Sequence, residues 1–201
     1  DDIPNDMPPI ITVPIPIGLS ESEAAEYERR KERYTEEGNA LGAIGNLITD
    51  LSAPSSSARF LSDLKYEYFD TVMCEVLARR EKIIVFAERK MTIGALEDEY
   101  SKQLPVFVLG GDTPISERQQ VIDWFSGISG AAMLICNPVV GGAGLNITAA
   151  NHVFHFSMQW NPAKFDQADA RAHRRGQTKT VLAHYPYYAS TIEEYMWEKV
   201  A

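Results

Sequence analysis

Three arginines in the last third of the sequence have the type and spacing to bind an anion. Arg171, Arg174 and Arg175 occur at i, i+3 and i+4, so we expect them to share one face at the end of a helix over residues 162–173. Guanidinium groups this close repel one another unless an anion neutralises them. Planar, permanently charged donors of this kind stabilise a phosphoryl group during its transfer. The alternative is that they only complement the dipole at the helix C-terminus.

Two glycine-rich segments could offer backbone groups to a ligand. The first is Gly141-Gly142-Ala143-Gly144-Leu145-Asn146, and the second is Gly110-Gly111-Asp112-Thr113. Glycines at this density let the backbone approach a ligand closely or adopt positive φ. Neither segment matches the phosphate loop that ends in Gly-Lys-Ser/Thr or the dinucleotide fingerprint GxGxxG, which disfavours a dinucleotide-binding enzyme. Each segment could also be a tight turn between a strand and a helix.

Alternating strands and helices predict the architecture that positions these segments. Short apolar runs predict buried strands, and amphipathic stretches between them predict helices. The strands are predicted at residues 82–87, 106–109, 132–136 and 152–156 and from 181 onward, and the helices at 60–80, 91–103, 116–125 and 162–173. This alternation indicates an α/β fold with a mainly parallel sheet and helices on both faces. Ligands bind such sheets at the carboxyl ends of the strands, so the loops there should share one functional edge.

A different pattern precedes residue 60. The apolar residues from Ile10 to Leu19 are interrupted by Pro14 and Pro16, which is typical of extended chain or an edge strand. Ser20-Glu21-Ser22-Glu23 has the form of a capping box and predicts an exposed acidic helix that ends at Gly38. A serine-rich loop follows at residues 51–57. We therefore predict a short N-terminal helical appendage over residues 1–59 and the main domain over residues 60–201.

The net charge of -9 argues at first sight against a nucleic-acid partner, but its distribution weakens that objection. Residues 1–38 hold ten acidic and four basic side chains, whereas residues 163–180 hold five basic and two acidic ones. Two cysteines give no disulfide framework, and no apolar run approaches the roughly 20 residues of a membrane helix. His152 and His155 should lie on opposite faces of a strand. We expect an intracellular protein, cytoplasmic or nuclear if eukaryotic, with no membrane partner and no metal site.

The order of the motifs resembles the C-terminal half of Swi/Snf-like helicases, a group of superfamily 2 DNA translocases. The resemblance covers about residues 60–200. The motifs that carry it are Val108-Leu109-Gly110-Gly111-Asp112-Thr113, Arg118-Gln119, the segment from Gly141 to Ala150, Trp160-Asn161-Pro162, and the segment from Asp166 to Gln177. Ser190-Thr191-Ile192-Glu193-Glu194 also resembles the stretch that follows the last motif in this family.

The resemblance implies a RecA-like second lobe, with ATP and Mg²⁺ in the cleft between it and an N-terminal RecA-like lobe, and duplex DNA running across both. By motif position, Arg171 and Arg174 would act catalytically on the ATP phosphates. The implied ATP-binding and coupling residues are Gly142, Gly144, Asn146 and Gln167, and the implied nucleic-acid contacts are Arg89, Lys90, Gly111, Asp112, Thr113 and Trp160. The phosphate-loop lysine and the Mg²⁺-holding acids of such a motor belong to the first lobe. We therefore expect the isolated chain to be inactive towards ATP.

Some positions depart from the family pattern. The segment Asn137-Pro138-Val139-Val140 stands where Ser or Thr and Arg are common, Ser157 where Asp is usual, and Ala87 where Ser is frequent. Pro138 has no N–H, which excludes a phosphate contact by that group. The chain begins with Asp1 rather than Met, so we expect it to be part of a longer protein that supplies the first lobe. The alternative is a stand-alone, non-catalytic module of the same fold that binds nucleic acid or a protein.

Overall fold

Parallel strands form the centre of the molecule. The computed structural model describes residues 7–52, 64–138, 144–158 and 161–200. Its strands are β1 (Ile10–Ile17), β2 (Lys82–Phe86), β3 (Val106–Leu109), β4 (Ala132–Cys136), β5 (His152–His155) and β6 (Val181–Tyr188). They form one sheet in the order β1-β6-β5-β2-β4-β3, and every neighbouring pair is parallel. The predicted α/β fold is confirmed.

Helices connect and flank these strands. Those of the described residues are α1 (Glu21–Glu37), α2 (Ala40–Ser52), α3 (Leu64–Arg79), α4 (Lys90–Tyr100), α5 (Ile115–Gly127), α6 (Pro162–Asp169) and α7 (Ile192–Val200). Predicted helices correspond to α1, α3, α4, α5 and α6, with residues 60–63 outside the described ranges. No counterpart of α2 or α7 was predicted. The glycines at 42 and 45 weaken the helical signal of α2, which depends on tertiary packing of Ala43, Leu47 and Leu51.

The side chains of the central strands alternate between two cores. Ile84 and Phe86 of β2 belong to the core that includes residues of α5, α6 and α7. Ile83 and Val85 belong to the core that includes residues of α3 and α4. All four of these side chains are at most 1% exposed. Helices therefore cover both faces of the sheet, which explains why β2 is a continuous apolar run rather than an alternating one.

The first strand closes one edge of this sheet. β1 belongs to the segment before residue 60, yet it pairs with β6 along its whole length, from Ile10 opposite Val181 to Ile17 opposite Tyr188. The carbonyls of Pro9 and Ile17 accept hydrogen bonds from the β6 side. Backbone groups alternate sides along a strand, and the two acceptors are odd-numbered. The N–H and C=O groups of the even-numbered residues of β1 therefore face away from β6, towards the open edge of the sheet. Pro14 and Pro16 are even-numbered, so neither removes a hydrogen bond from the sheet.

Two helices that follow β1 form a hairpin attached to the sheet. The predicted capping box is present, since the Ser20 N–H donates to the Glu23 carboxylate at 2.8 Å and the Glu23 N–H to the Ser20 hydroxyl at 3.3 Å. Tyr34 of α1 donates to Asp50 of α2 at 2.8 Å. The Tyr27 hydroxyl accepts a hydrogen bond from the backbone N–H of Ile192 at 2.9 Å. The hairpin is thereby joined to the start of α7.

A buried ion pair joins α3 to α7. The ammonium group of Lys65 lies 2.6 and 2.7 Å from the two carboxylate oxygens of Glu193, and the two side chains are 3% and 0% exposed. The Glu193 carboxylate also accepts the backbone N–H of Tyr188 at 2.9 Å. The Glu193 carboxylate is therefore paired with an ammonium group and also accepts a backbone N–H. Removal of one partner would leave an uncompensated charge inside the fold.

We expect Lys65→Met to lower the free energy of unfolding by about 3–5 kcal/mol, because the Glu193 carboxylate loses its counter-ion. The double variant Lys65→Met/Glu193→Gln should recover part of this loss. Its neutral amide oxygen can still accept the Tyr188 N–H, and no buried charge remains unpaired. Urea unfolding followed by circular dichroism measures all of these values.

Lys31→Met provides the matched control, because Lys31 pairs with Glu28 at 2.9 Å while both side chains are about half exposed. An exposed pair of this kind contributes about 0–1 kcal/mol. The interpretation is wrong if Lys65→Met costs no more than Lys31→Met, or if the double variant is less stable than Lys65→Met alone.

Candidate functional site

A cleft of about 300 Å³ lies beside the end of α6. Its lining residues are Gly144, Leu145, Gln167, Ala170, Arg171, His173 and Arg174. The cleft therefore brings together four of the residues singled out in the sequence, Gly144, Gln167, Arg171 and Arg174. Gln167 is an exposed residue of α6, and the two arginines follow the helix.

The backbone after α6 differs from the predicted helix over residues 162–173. The helix ends at Asp169, and tighter turns follow, in which the N–H of Arg171 bonds to the carbonyl of Ala168 and that of Ala172 to Asp169. We call residues 170–177 the arginine turn. The prediction that the three arginines share one helix face is therefore wrong. Arg175 is exposed and lies outside the cleft lining.

Arg171 is the buried charge of the cleft. The residue is only 7% exposed, and its guanidinium carbon lies 5.5 Å from the centre of the Phe86 ring. Among the described residues its Nη1 has no hydrogen-bond partner. Burial lowers the pKa of this guanidinium from its usual value, because the charged form loses hydration. A buried, charged donor without an acceptor favours an incoming anion.

Cys136 does not supply that anion. The thiol is 1% exposed at the end of β4, and burial raises its pKa to about 12. It therefore stays neutral at physiological pH and does not compensate the charge of Arg171. Arg171 and Arg174 have no ion pair with any acidic residue in the described part of the chain.

The other cleft residues are more exposed. Arg174 is exposed, and its Nη1 donates to the carbonyl of Gly144 at 3.3 Å, across the mouth of the cleft. Gly144 has a φ of +57°, the left-handed region that favours glycine. Asn146 is exposed in the same loop but is not one of the lining residues. Gly142 and Trp160 lie outside the described residues.

A buried polar group at the end of α6 was not predicted from the sequence. The carboxylate of Asp169 lies 2.8 Å from Nε2 of His155 and accepts a hydrogen bond from the hydroxyl of Tyr185. The His155 ring stacks on Tyr185, with ring centres 4.4 Å apart. Asp169 is the last residue of α6, so this group fixes the point at which the arginine turn begins. Spacing alone could not reveal it, because its members come from β5, α6 and β6.

The implied nucleic-acid contacts lie at the carboxyl ends of β2 and β3. Lys90 and Asp112 form an ion pair at 2.8 Å, with side chains 85% and 84% exposed. The Thr113 hydroxyl accepts the N–H of Gly110 at 3.1 Å, which shapes the turn around the exposed Gly111. Arg89 donates to the hydroxyl of Thr49 in α2. The structure thus brings Lys90 and Asp112 together.

Neither a candidate metal site nor a helix able to cross a membrane occurs in the part of the chain that the structure describes. No group of three or more His, Cys, Asp or Glu side chains in these ranges could hold a metal ion. His152 and His155 point to different partners, Glu81 and Asp169 respectively. None of the helices in the described ranges has the length and apolar character needed to cross a membrane.

Comparisons with known proteins place the chain in a family. The family model described as helicase conserved C-terminal domain matches residues 65–176. An uncharacterized ATP-dependent helicase of Mycoplasma pneumoniae is 31% identical over 200 residues, which are 94% of this chain and 19% of that protein. The human chromatin-remodeling ATPase INO80 is 27% identical over 180 residues, 88% of this chain and 12% of that protein. The chain thus spans a fifth or less of these relatives.

Solved structures share the fold. The C-terminal part of the Fun30 ATPase domain superposes with a TM-score of 0.73 at 20% identity, covering 97% of this chain and 90% of that one. The Sulfolobus solfataricus SWI2/SNF2 ATPase core in complex with dsDNA gives a TM-score of 0.71 at 24% identity, covering 93% of this chain and 43% of that one. The chain therefore belongs to the helicase conserved C-terminal domain family, as a Swi/Snf-like superfamily 2 lobe with the RecA-like α/β fold.

Proposed function

We propose that this chain is the second motor lobe of an ATP-dependent DNA translocase. In this proposal a first lobe, elsewhere in a longer protein, holds ATP and Mg²⁺, and Arg171 and Arg174 reach the phosphates from across the interlobe cleft. The observation that carries the proposal is the buried Arg171 guanidinium, whose Nη1 is unpartnered in the described residues, at a cleft shared with Arg174 and Gln167. The relatives named as an ATP-dependent helicase and a chromatin-remodeling ATPase support this proposal.

Arg171 and Arg174 differ in exposure, and we propose a different role for each. ATP, when held by the first lobe, supplies the phosphoryl group on which negative charge gathers during transfer. Arg171 is pre-positioned by its burial and offers a donor that is not engaged within the described residues. Arg174 is exposed and would release the Gly144 carbonyl to reach a phosphate. Such fixed donors act where charge develops and need no solvent reorganisation.

In the full-length protein with both lobes, we expect Arg171→Ala and Arg174→Ala each to lower the DNA-stimulated kcat for ATP hydrolysis by about 10³-fold or more. Arg171→Lys should recover little of this loss, because an ammonium group lacks the planar fork of a guanidinium. Steady-state phosphate release measures the rates, and thermal melting verifies that each variant is folded.

Arg175→Ala is the matched control, since Arg175 is adjacent in sequence but exposed and outside the cleft lining. Its kcat should stay close to that of the wild type. Wild-type rates in folded Arg171→Ala and Arg174→Ala variants would rule out the proposed role of both arginines.

The 201-residue chain alone should not hydrolyse Mg-ATP above the buffer rate, because an arginine raises the rate of an existing phosphate site and does not create one. Fusion to its first lobe should produce DNA-stimulated hydrolysis. The decisive comparison is phosphate release by the chain alone, by the fusion, and by the fusion with Arg171→Ala. The proposal that the first lobe holds ATP is contradicted if the purified chain hydrolyses ATP and its Arg171→Ala variant does not.

We also propose that the loops bearing Lys90 and Asp112 contact the DNA backbone. In the full-length protein, Lys90→Ala should weaken binding to duplex DNA and reduce the slope of log K against log salt by about one, as expected for one lost phosphate contact. Asp112→Asn should strengthen binding, because it frees Lys90 from its 2.8 Å ion pair. Fluorescence anisotropy over a salt series measures both effects.

Lys102→Ala is the control for this surface. Lys102 is exposed between α4 and β3. It therefore lies where the strands begin, at the opposite end of the sheet from the loops that carry Lys90 and Asp112. The proposed track is wrong if Lys90→Ala and Lys102→Ala give the same affinity and the same salt slope. The alternative function, a stand-alone, non-catalytic module that binds nucleic acid or a protein, predicts no DNA-stimulated ATP hydrolysis for an arginine variant to lower.

A further inference from the structure

One buried carboxamide joins the arginine turn to the loop of residues 144–150. Gln177 is 6% exposed. Its Nε2 lies 2.8 Å from the carbonyl oxygen of Ala150, 3.0 Å from that of Ala172 and 3.2 Å from that of Thr148. Ala172 belongs to the arginine turn, and the other two belong to the loop. A single side chain therefore bonds to both segments.

The other end of the same side chain is equally engaged. The Oε1 of Gln177 accepts the backbone N–H groups of Thr178 and Lys179, both at 2.9 Å. All five partners are backbone groups, so these contacts fix the path of the main chain. Glutamine is suited to this position because its amide both donates and accepts, which neither glutamate nor an apolar residue can do at neutral pH.

The loop and the turn also meet directly at Arg171. The N–H of Ile147 donates to the carbonyl of Arg171 at 2.9 Å. Two of the Gln177 contacts, to Thr148 and Ala172, lie one residue beyond this pair in each segment, and the third, to Ala150, lies three residues beyond Ile147. Gly176 allows this arrangement with a φ of +106°, a conformation that other residues rarely adopt.

We propose that Gln177 is the positioning residue for Arg171. It holds the backbone on the C-terminal side of Arg171 against the loop and so fixes where the guanidinium group lies in the cleft. The inference rests on the proposed function, because it concerns the arginine that would act on ATP. A displacement of about 1 Å at a reacting group can cost about 10²-fold in rate, so loss of this clamp should be visible in kcat.

The test uses the full-length protein with both lobes. We expect Gln177→Glu and Gln177→Ala to lower the DNA-stimulated kcat by about 10²-fold, while the KM for ATP changes little, since the first lobe binds the nucleotide. Gln120→Ala, an exposed glutamine of α5, is the control and should keep the wild-type kcat. Rates are measured well below the melting temperature of each variant. A wild-type kcat in both Gln177 variants overturns the inference.

A double-mutant cycle distinguishes positioning from a general structural role. In an Arg171→Ala background, Gln177→Glu should cause no further loss, because the residue it positions is gone. Losses that add in the double variant overturn the inference and assign Gln177 to the stability of the fold alone. A wild-type rate in Arg171→Ala itself refutes the proposed function, and with it the inference, before Gln177 is considered.

Amide hydrogen exchange on the 201-residue chain tests the clamp without ATP. Gln177→Ala, which removes both the donor and the acceptor, should speed the exchange of the Ile147, Thr178 and Lys179 amides, while amides of β2 and β4 keep their protection. Unchanged exchange at Ile147 overturns the claim that Gln177 holds the loop against the turn. This result is independent of whether Arg171 acts on a nucleotide.

Discussion

Burial of both sheet faces is the constraint on which the remaining structure depends. The strands β2 and β4 have side chains in two separate helix-covered cores, so their faces have no room for a ligand or a charge. Side chains that bind a ligand must therefore lie beyond the ends of these two strands. Because every pair is parallel, all carboxyl ends meet at one end of the sheet, and the loops there carry Lys90 and Asp112. The arginine turn instead leads from α6 to the beginning of β6.

The cleft contains a buried positive charge that no acidic side chain of the described residues neutralises. Arg171 is buried beside the Phe86 ring and a neutral thiol, and no described acid compensates its charge. A buried donor left unpaired costs about 1–3 kcal/mol, and more when it is charged. Hydrogen bonds between distant parts of the chain hold the backbone on either side of Arg171: Asp169 bonds to His155, and Gln177 to Ala150. The fold therefore keeps a buried guanidinium whose Nη1 has no acceptor among the described residues.

The sequence predicts the strands of this fold well and the end of α6 poorly, for physical reasons. Ile83 to Phe86 is a β-branched apolar run, and such a run has few alternatives to a strand buried on both faces. In contrast, Ala and Arg residues up to Arg175 are good helix formers, so no local signal ends α6 before Gly176. The helix ends at Asp169 because tertiary hydrogen bonds from Gln177, Ile147 and His155 hold that region in turns. Motif order found Arg171, Arg174 and Gln167, whereas the group of His155, Asp169 and Tyr185 required the structure.

The prolines of β1 affect how copies of this chain meet one another. An edge strand with free N–H groups is a template on which a second molecule can add its own strand, and sheets that grow in this way aggregate. Pro14 and Pro16 remove two outward donors from the C-terminal half of β1, and the opposite edge, β3, is only four residues long. Neither side of the sheet therefore offers a long template for polymerisation. Copies of this chain at high concentration therefore have little exposed strand on which to join their sheets.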